Sequence, residues 1–73
     1  MKETVVNQFG RRVRQLRKKH NVTQQELANK AKISLKYLQS LEGQNPQNPS
    51  LVIMQKIADG FGIPLWKILK MDE

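Results

Sequence analysis

A chain of 73 residues carrying a formal charge of +7 has room for one small domain and not for a catalytic domain beside a second one. With no cysteine and a single histidine, His20, it lacks the makings of a disulfide, a thiolate metal site or a zinc centre of its own. Folding buries only about 60% of the surface of a chain this size, so packing must stabilise a marginal core.

The longest apolar run, residues 51–54, is too short to span a membrane, and residues 2–4 lead into no apolar signal region. The expectation is a single cytoplasmic domain over residues 1–73, with its core over about 5–69 and a frayed tail at 70–73. The charge is unevenly placed: residues 1–38 hold ten bases and two acids, whereas residues 39–73 hold three bases and four acids. One half of the chain suits a polyanion and the other does not. Charge alone leaves a solvated basic face as the alternative.

Residues 5–20 place Val5, Val6, Phe9, Val13, Leu16 and His20 at helical spacing on one stripe, with Arg11, Arg14 and Lys18 opposite. Those three bases are open between a solvated face and contact with a polyanion. Asn21 suits a left-handed stop after the basic last turn. His20, at the end of the stripe, reads as packed or capping rather than as a ligand, since no partner group lies near it in sequence.

Thr23-Gln24-Gln25-Glu26 is a capping box that opens a second helix over residues 24–31, with Leu27, Ala28 and Ala31 inward. Its two alanines predict close approach by another backbone. Ser34 caps a third helix over residues 35–42, with Leu38 and Leu41 on its apolar face. So short a link forces the sharp crossing of a helix-turn-helix. Residues 43–49, with two prolines and a glycine, form a polar loop.

Ser50 caps a fourth helix whose predicted face is Leu51, Met54, Ile57, Ala58 and Phe61, ending at Gly62. Pro64 is expected at the first position of a short fifth helix over residues 65–69. No strand signal, repeat or interdomain linker is present. There is also no Ser/His/acid, Cys/His, paired-carboxylate or phosphate-loop set, and Gly60-Phe61-Gly62 reads as a helix stop rather than a nucleotide cradle. The chain therefore reads as a binding protein without a cofactor, not as an enzyme.

Val13-Arg14-Gln15-Leu16-Arg17, Thr23-Gln24-Gln25-Glu26-Leu27-Ala28, Ala31-Lys32-Ile33-Ser34, Tyr37-Leu38, Leu41-Glu42, Pro49-Ser50-Leu51 and Ile57-Ala58, taken in order, resemble the phage-repressor (Cro/cI, xenobiotic-response-element) type of helix-turn-helix DNA-binding domain. Each fragment is weak alone, but the ordered set spans about residues 9–69 and is specific. The resemblance extends to small controller proteins of restriction-modification systems and compact phage repressors. It implies an all-α, five-helix, lambda-repressor-like fold with the helix-turn-helix formed by helices two and three. The implied function is transcriptional regulation through sequence-specific binding of double-stranded DNA.

Residue by residue, the resemblance makes Gln24 a phosphate clamp, a role that free amides at a helix N-terminus also favour. It makes Leu35, Lys36, Gln39 and Ser40 the groups facing base edges, and divides Tyr37 between packing and a phosphate contact. Arg17 and Glu42 match an internal ion pair tying the first helix to the end of the third. Lys36 suits guanine, Gln39 adenine, and Leu35 a thymine methyl.

Two positions depart from the family pattern. Lys32 stands where the turn glycine is usual, at a cost of about 1 kcal/mol if left-handed, and brings a positive charge to the DNA face. The loop lacks the usual arginine, with Gln44, Asn45, Gln47 and Asn48 available as neutral donors instead.

A single domain of this kind covers one half-site, so a homodimer on a palindromic operator is expected. Residues 61–69 hold more apolar side chains than one short helix can hide. Leu65 and Ile68 are assigned to the core, and Trp66, with Leu69 and Ile63, to the dimer interface; the alternative buries Trp66 in the monomer. A different class of function, an antitoxin or protein-interaction module, would use this same surface for a protein partner. A membrane-surface role is disfavoured because the first helix needs its apolar residues for the core.

Overall fold

The computed structural model describes residues 5–43 and 48–70, and its elements are five helices: α1 (Val5–Lys19), α2 (Gln24–Ala31), α3 (Leu35–Leu41), α4 (Leu51–Phe61) and α5 (Leu65–Leu69). No strand occurs among the described residues. The proposed tail beyond Lys70 lies outside them.

Each start has a local cause. The Thr23 hydroxyl accepts the Glu26 N–H at 3.0 Å, and the Glu26 carboxylate accepts the Thr23 N–H at 2.8 Å, so the capping box is complete. Ser34 accepts the Tyr37 N–H at 3.0 Å and Ser50 the Ile53 N–H at 3.1 Å.

Three of the stops share one geometry. Asn21, Lys32 and Gly62 take left-handed φ values of 56°, 59° and 73°. The N–H that follows each of them reaches back into the preceding helix: Val22 to Arg17, Ile33 to Ala28 and Ile63 to Ala58, at 2.9, 3.0 and 3.2 Å.

The core draws on all five helices: Phe9, Val13 and Leu16 from α1; Leu27, Ala28 and Ala31 from α2; Leu38 and Leu41 from α3; Ile57 and Ala58 from α4; and Ile68 from α5. The alanines meet α4 as expected, since a Cβ at Gly60 would sit 3.3 Å from the Ala31 backbone nitrogen and 3.2 Å from a Leu27 methyl. Gly10 serves a second close crossing: a Cβ there would land on the Leu41 carbonyl oxygen. α1 thus presses its backbone against the end of α3.

Several sequence expectations need correction. Leu51 is exposed; the rest of the predicted α4 face, Met54, Ile57, Ala58 and Phe61, packs as expected, and Ile53 joins it in place of Leu51. Val5, the first residue of α1, is likewise exposed. Pro64 is the N-cap of α5 and not its first residue: its ψ of 145° is extended, and its carbonyl accepts the Lys67 N–H at 3.1 Å. His20 is exposed rather than packed, its ring 6.1 Å from that of Phe61, but it does stand at the end of α1, where its backbone N–H donates to the Leu16 carbonyl at 3.0 Å.

Candidate nucleic-acid interface

The α2–α3 unit is joined through Lys32 and Ile33. Lys32 takes the left-handed turn position that family members usually give to glycine, with φ 59° and ψ 44°, and its side chain is exposed. The strained backbone is held by two hydrogen bonds, Lys32 N–H to Asn29 and Ile33 N–H to Ala28, and by Ile33 packing partly against the core.

On α3, Leu38 and Leu41 are buried, and Lys36, Gln39 and Ser40 are exposed. Positions 36, 39 and 40 follow the spacing of one helix face, opposite the buried pair. Leu35 is half-buried and packs against the core, which leaves only part of it for a ligand. Tyr37 is also half-buried, and burial alone pushes its phenol above the usual range. The hydroxyl therefore remains a neutral donor near pH 7. Asn45 lies outside the described residues.

Beneath this face is an ion pair predicted from the family resemblance. Arg17 Nε donates to Glu42 Oε2 at 2.9 Å, Nη2 donates to Oε1 at 2.8 Å, and Nη1 donates to the Val22 carbonyl at 3.1 Å. The side chains are 13% and 4% exposed. The hydrogen bonds that Arg17 donates to Glu42 are the main cause of its raised pKa, against a smaller opposing effect of burial.

Sequence reasoning missed the third member of this cluster. Gln24, expected to reach a phosphate, donates from Nε2 to Glu42 Oε1 at 3.2 Å. No local pattern signals that contact, because Glu42 is brought there by the fold. An open depression of about 480 Å3 adjoins Gln24, lined also by Lys18, Asn21 and Thr23. It lies at the N-terminus of α2, where first-turn amides have no partner within the helix.

Away from α2 and α3, Trp66 is 61% exposed and Leu69 is 39% exposed, whereas Ile63 is half-buried and Ile68 is fully enclosed. The alternative in which the monomer core absorbs Trp66 is therefore excluded. Arg11, Arg14 and Lys18 are all exposed, on the side of α1 away from the core. No group of three or more potential metal ligands is found among the described residues, and none of their helices is long and apolar enough to cross a membrane.

A family model described as a helix-turn-helix domain matches residues 10–71. The immunity repressor protein of Bacillus phage phi105 is 37% identical over 60 residues, which cover 82% of this chain and 41% of that protein. The chain thus spans about two-fifths of that relative's length. Among solved structures, the restriction-modification controller protein C.AhdI from Aeromonas hydrophila is 28% identical with a TM-score of 0.80, covering 86% of this chain and 94% of its own. The controller protein C.Esp1396I bound to a 19 base pair DNA duplex is 18% identical with a TM-score of 0.81 and 92% of each chain covered, a likeness of fold. On the extent of the family match, together with the capped helices and the tight turn between α2 and α3, the chain belongs to the helix-turn-helix domain family.

Proposed function

We propose that this chain is a transcriptional regulator that binds double-stranded DNA sequence-specifically, inserting α3 into the major groove and acting as a homodimer on a palindromic operator. One observation carries the reading: α3 buries Leu38 and Leu41 and leaves Lys36, Gln39 and Ser40 exposed on one face. A helix of this kind presents side chains to base edges. Lys32 and the amides at the start of α2 supply phosphate contacts, with Gln24 assisting once its bond to Glu42 is shared or exchanged. Such a regulator is a binding protein rather than an enzyme, and it works in the cytoplasm, where its DNA is.

Dimerisation is assigned to Trp66, Leu69 and Ile63. A large aromatic side chain that is 61% exposed on a marginal domain makes an effective anchor. The same exposed surface supports a second reading, in which a different protein binds there, as in an antitoxin or interaction module. Sedimentation of the wild type and Trp66→Ala separates the two: a folded monomeric variant from a dimeric parent supports the homodimer. Two identical folded monomers contradict the homodimer.

DNA binding itself is tested by its dependence on salt. Three or four phosphate contacts per protomer predict a log–log slope of about −5 to −7 for the dimer. An affinity that does not change with salt contradicts the proposal.

A further inference from the structure

Four cations gather at a place that base reading does not use. Between α1 and α5 lies an open cleft of about 390 Å3, lined by Arg12 and Lys19 on one side and by Lys67 and Lys70 on the other. Among the described residues no carboxylate lines it, and none of its lining residues belongs to α2 or α3. Its volume is in the range of small-molecule sites, about 300–1,000 Å3.

The cleft also has an apolar part. Leu16 and Ile63 contribute aliphatic surface, and the exposed Trp66 ring contributes a flat aromatic wall with Lys67 Nζ 6.0 Å from its centroid. Arg12 Nε is shut off from solvent and has no acceptor among the described residues. A buried donor without a partner is costly. A cluster of like charges around one concavity adds repulsion that an anion would relieve.

We infer that this cleft binds a small organic anion, one that joins a flat apolar body to one or two acid groups. The body lies against Trp66 and the aliphatic surface, and the acid groups sit among Arg12, Lys19 and Lys67. Both halves of the ligand are needed: a bare inorganic anion leaves the aromatic wall unused, and a neutral ring gains nothing from Arg12, Lys19 and Lys67. The inference does not depend on DNA binding by α3.

Trp66 is the chain's single tryptophan, so its emission and its indole N–H resonance report directly on the cleft. Phenyl phosphate, inorganic phosphate and phenol are titrated into dilute full-length protein, where self-association through Trp66 does not compete. The expected result is a saturable one-site response to phenyl phosphate, at least tenfold tighter than to either of the others. Arg12→Gln and Lys67→Gln should each weaken it at least threefold; Lys67, being exposed, provides a variant whose fold is secure. The absence of saturation, equal binding of inorganic phosphate or phenol, or two variants that bind like the parent would each overturn the inference. DNA binding measured on the same samples tells this failure from failure of the regulator reading, because a chain that binds duplex but not phenyl phosphate loses only the cleft.

Discussion

Arg17 and Glu42 meet through two parallel hydrogen bonds of 2.9 and 2.8 Å, and the carboxylate oxygen at the shorter one also accepts Gln24 Nε2 at 3.2 Å. The pair ties α1 to the end of α3 and holds the first side chain of α2 in the same cluster. With the two side chains 13% and 4% exposed, it resembles a buried ion pair, and removing one partner leaves a charge in a place water hardly reaches. Arg17→Ala is therefore expected to cost about 3–5 kcal/mol, a large share of the stability of a small domain. The double variant Arg17→Met with Glu42→Leu should recover much of that loss. Urea denaturation checks both, and a loss for Arg17→Ala below about 1 kcal/mol would reassign the pair to the weak surface class.

Gly10 sits inside α1, where alanine would ordinarily stabilise by about 1 kcal/mol. Here the added Cβ meets the Leu41 carbonyl oxygen, an obstacle that only a backbone shift between α1 and α3 relieves. Gly10→Ala should therefore destabilise, by an amount near the upper end of the roughly 1–3 kcal/mol that overpacking costs. A raised melting temperature for this variant would show that the helices separate readily.

Much of this arrangement is legible in the sequence because its causes are local. Thr23, Ser34 and Ser50 each precede a helix and cap it, and the stripe from Phe9 to Leu16 faces inward as its spacing predicts. What escapes has causes remote in the chain. Gly10 reads as a helix weakness until Leu41 is brought beside it, and Gln24 reads as a free donor until Glu42 reaches it. Leu51 shows a different limit: α4 is rich enough in apolar residues that more than one set fits its period, and the packed set holds Ile53 beside the expected Met54, Ile57, Ala58 and Phe61. At the candidate interface the exposed residues Lys36, Gln39 and Ser40 follow from the burial of Leu38 and Leu41.

Lys32 separates backbone strain from charge. At φ 59° a glycine is preferred, and Lys32→Gly is expected to gain about 0.5–1 kcal/mol in unfolding experiments, the relief of strain being partly offset by a more flexible unfolded chain. If the lysine contacts a phosphate, the same variant binds DNA more weakly and its salt slope falls by about one unit. Stability and affinity thus move in opposite directions; an unchanged salt slope would remove Lys32 from the interface.

The capping box makes a pH prediction. The Glu26 carboxyl is held below its ordinary value of 4.5, first by accepting the Thr23 backbone N–H and then by its hydrogen bond with the Thr23 hydroxyl. A carboxyl depressed in the folded state adds stability above the unfolded value and loses it as the pH falls through the folded value. Wild type should therefore lose stability relative to Glu26→Gln as the pH drops below 4.5. Parallel curves from neutral to acid pH would mean that the charge on Glu26 does nothing for the cap.

If α3 reads a palindromic operator, selection of bound sequences from random duplexes will show it. Wild type should enrich two inverted half-sites with centres about 34 Å apart, one helical turn. Lys36→Ala should keep that spacing while relaxing one base pair in each half, a change of about 1–3 kcal/mol in discrimination. Enrichment of no sequence, or a preference that Lys36→Ala leaves untouched together with half-sites that are not inverted, would contradict it.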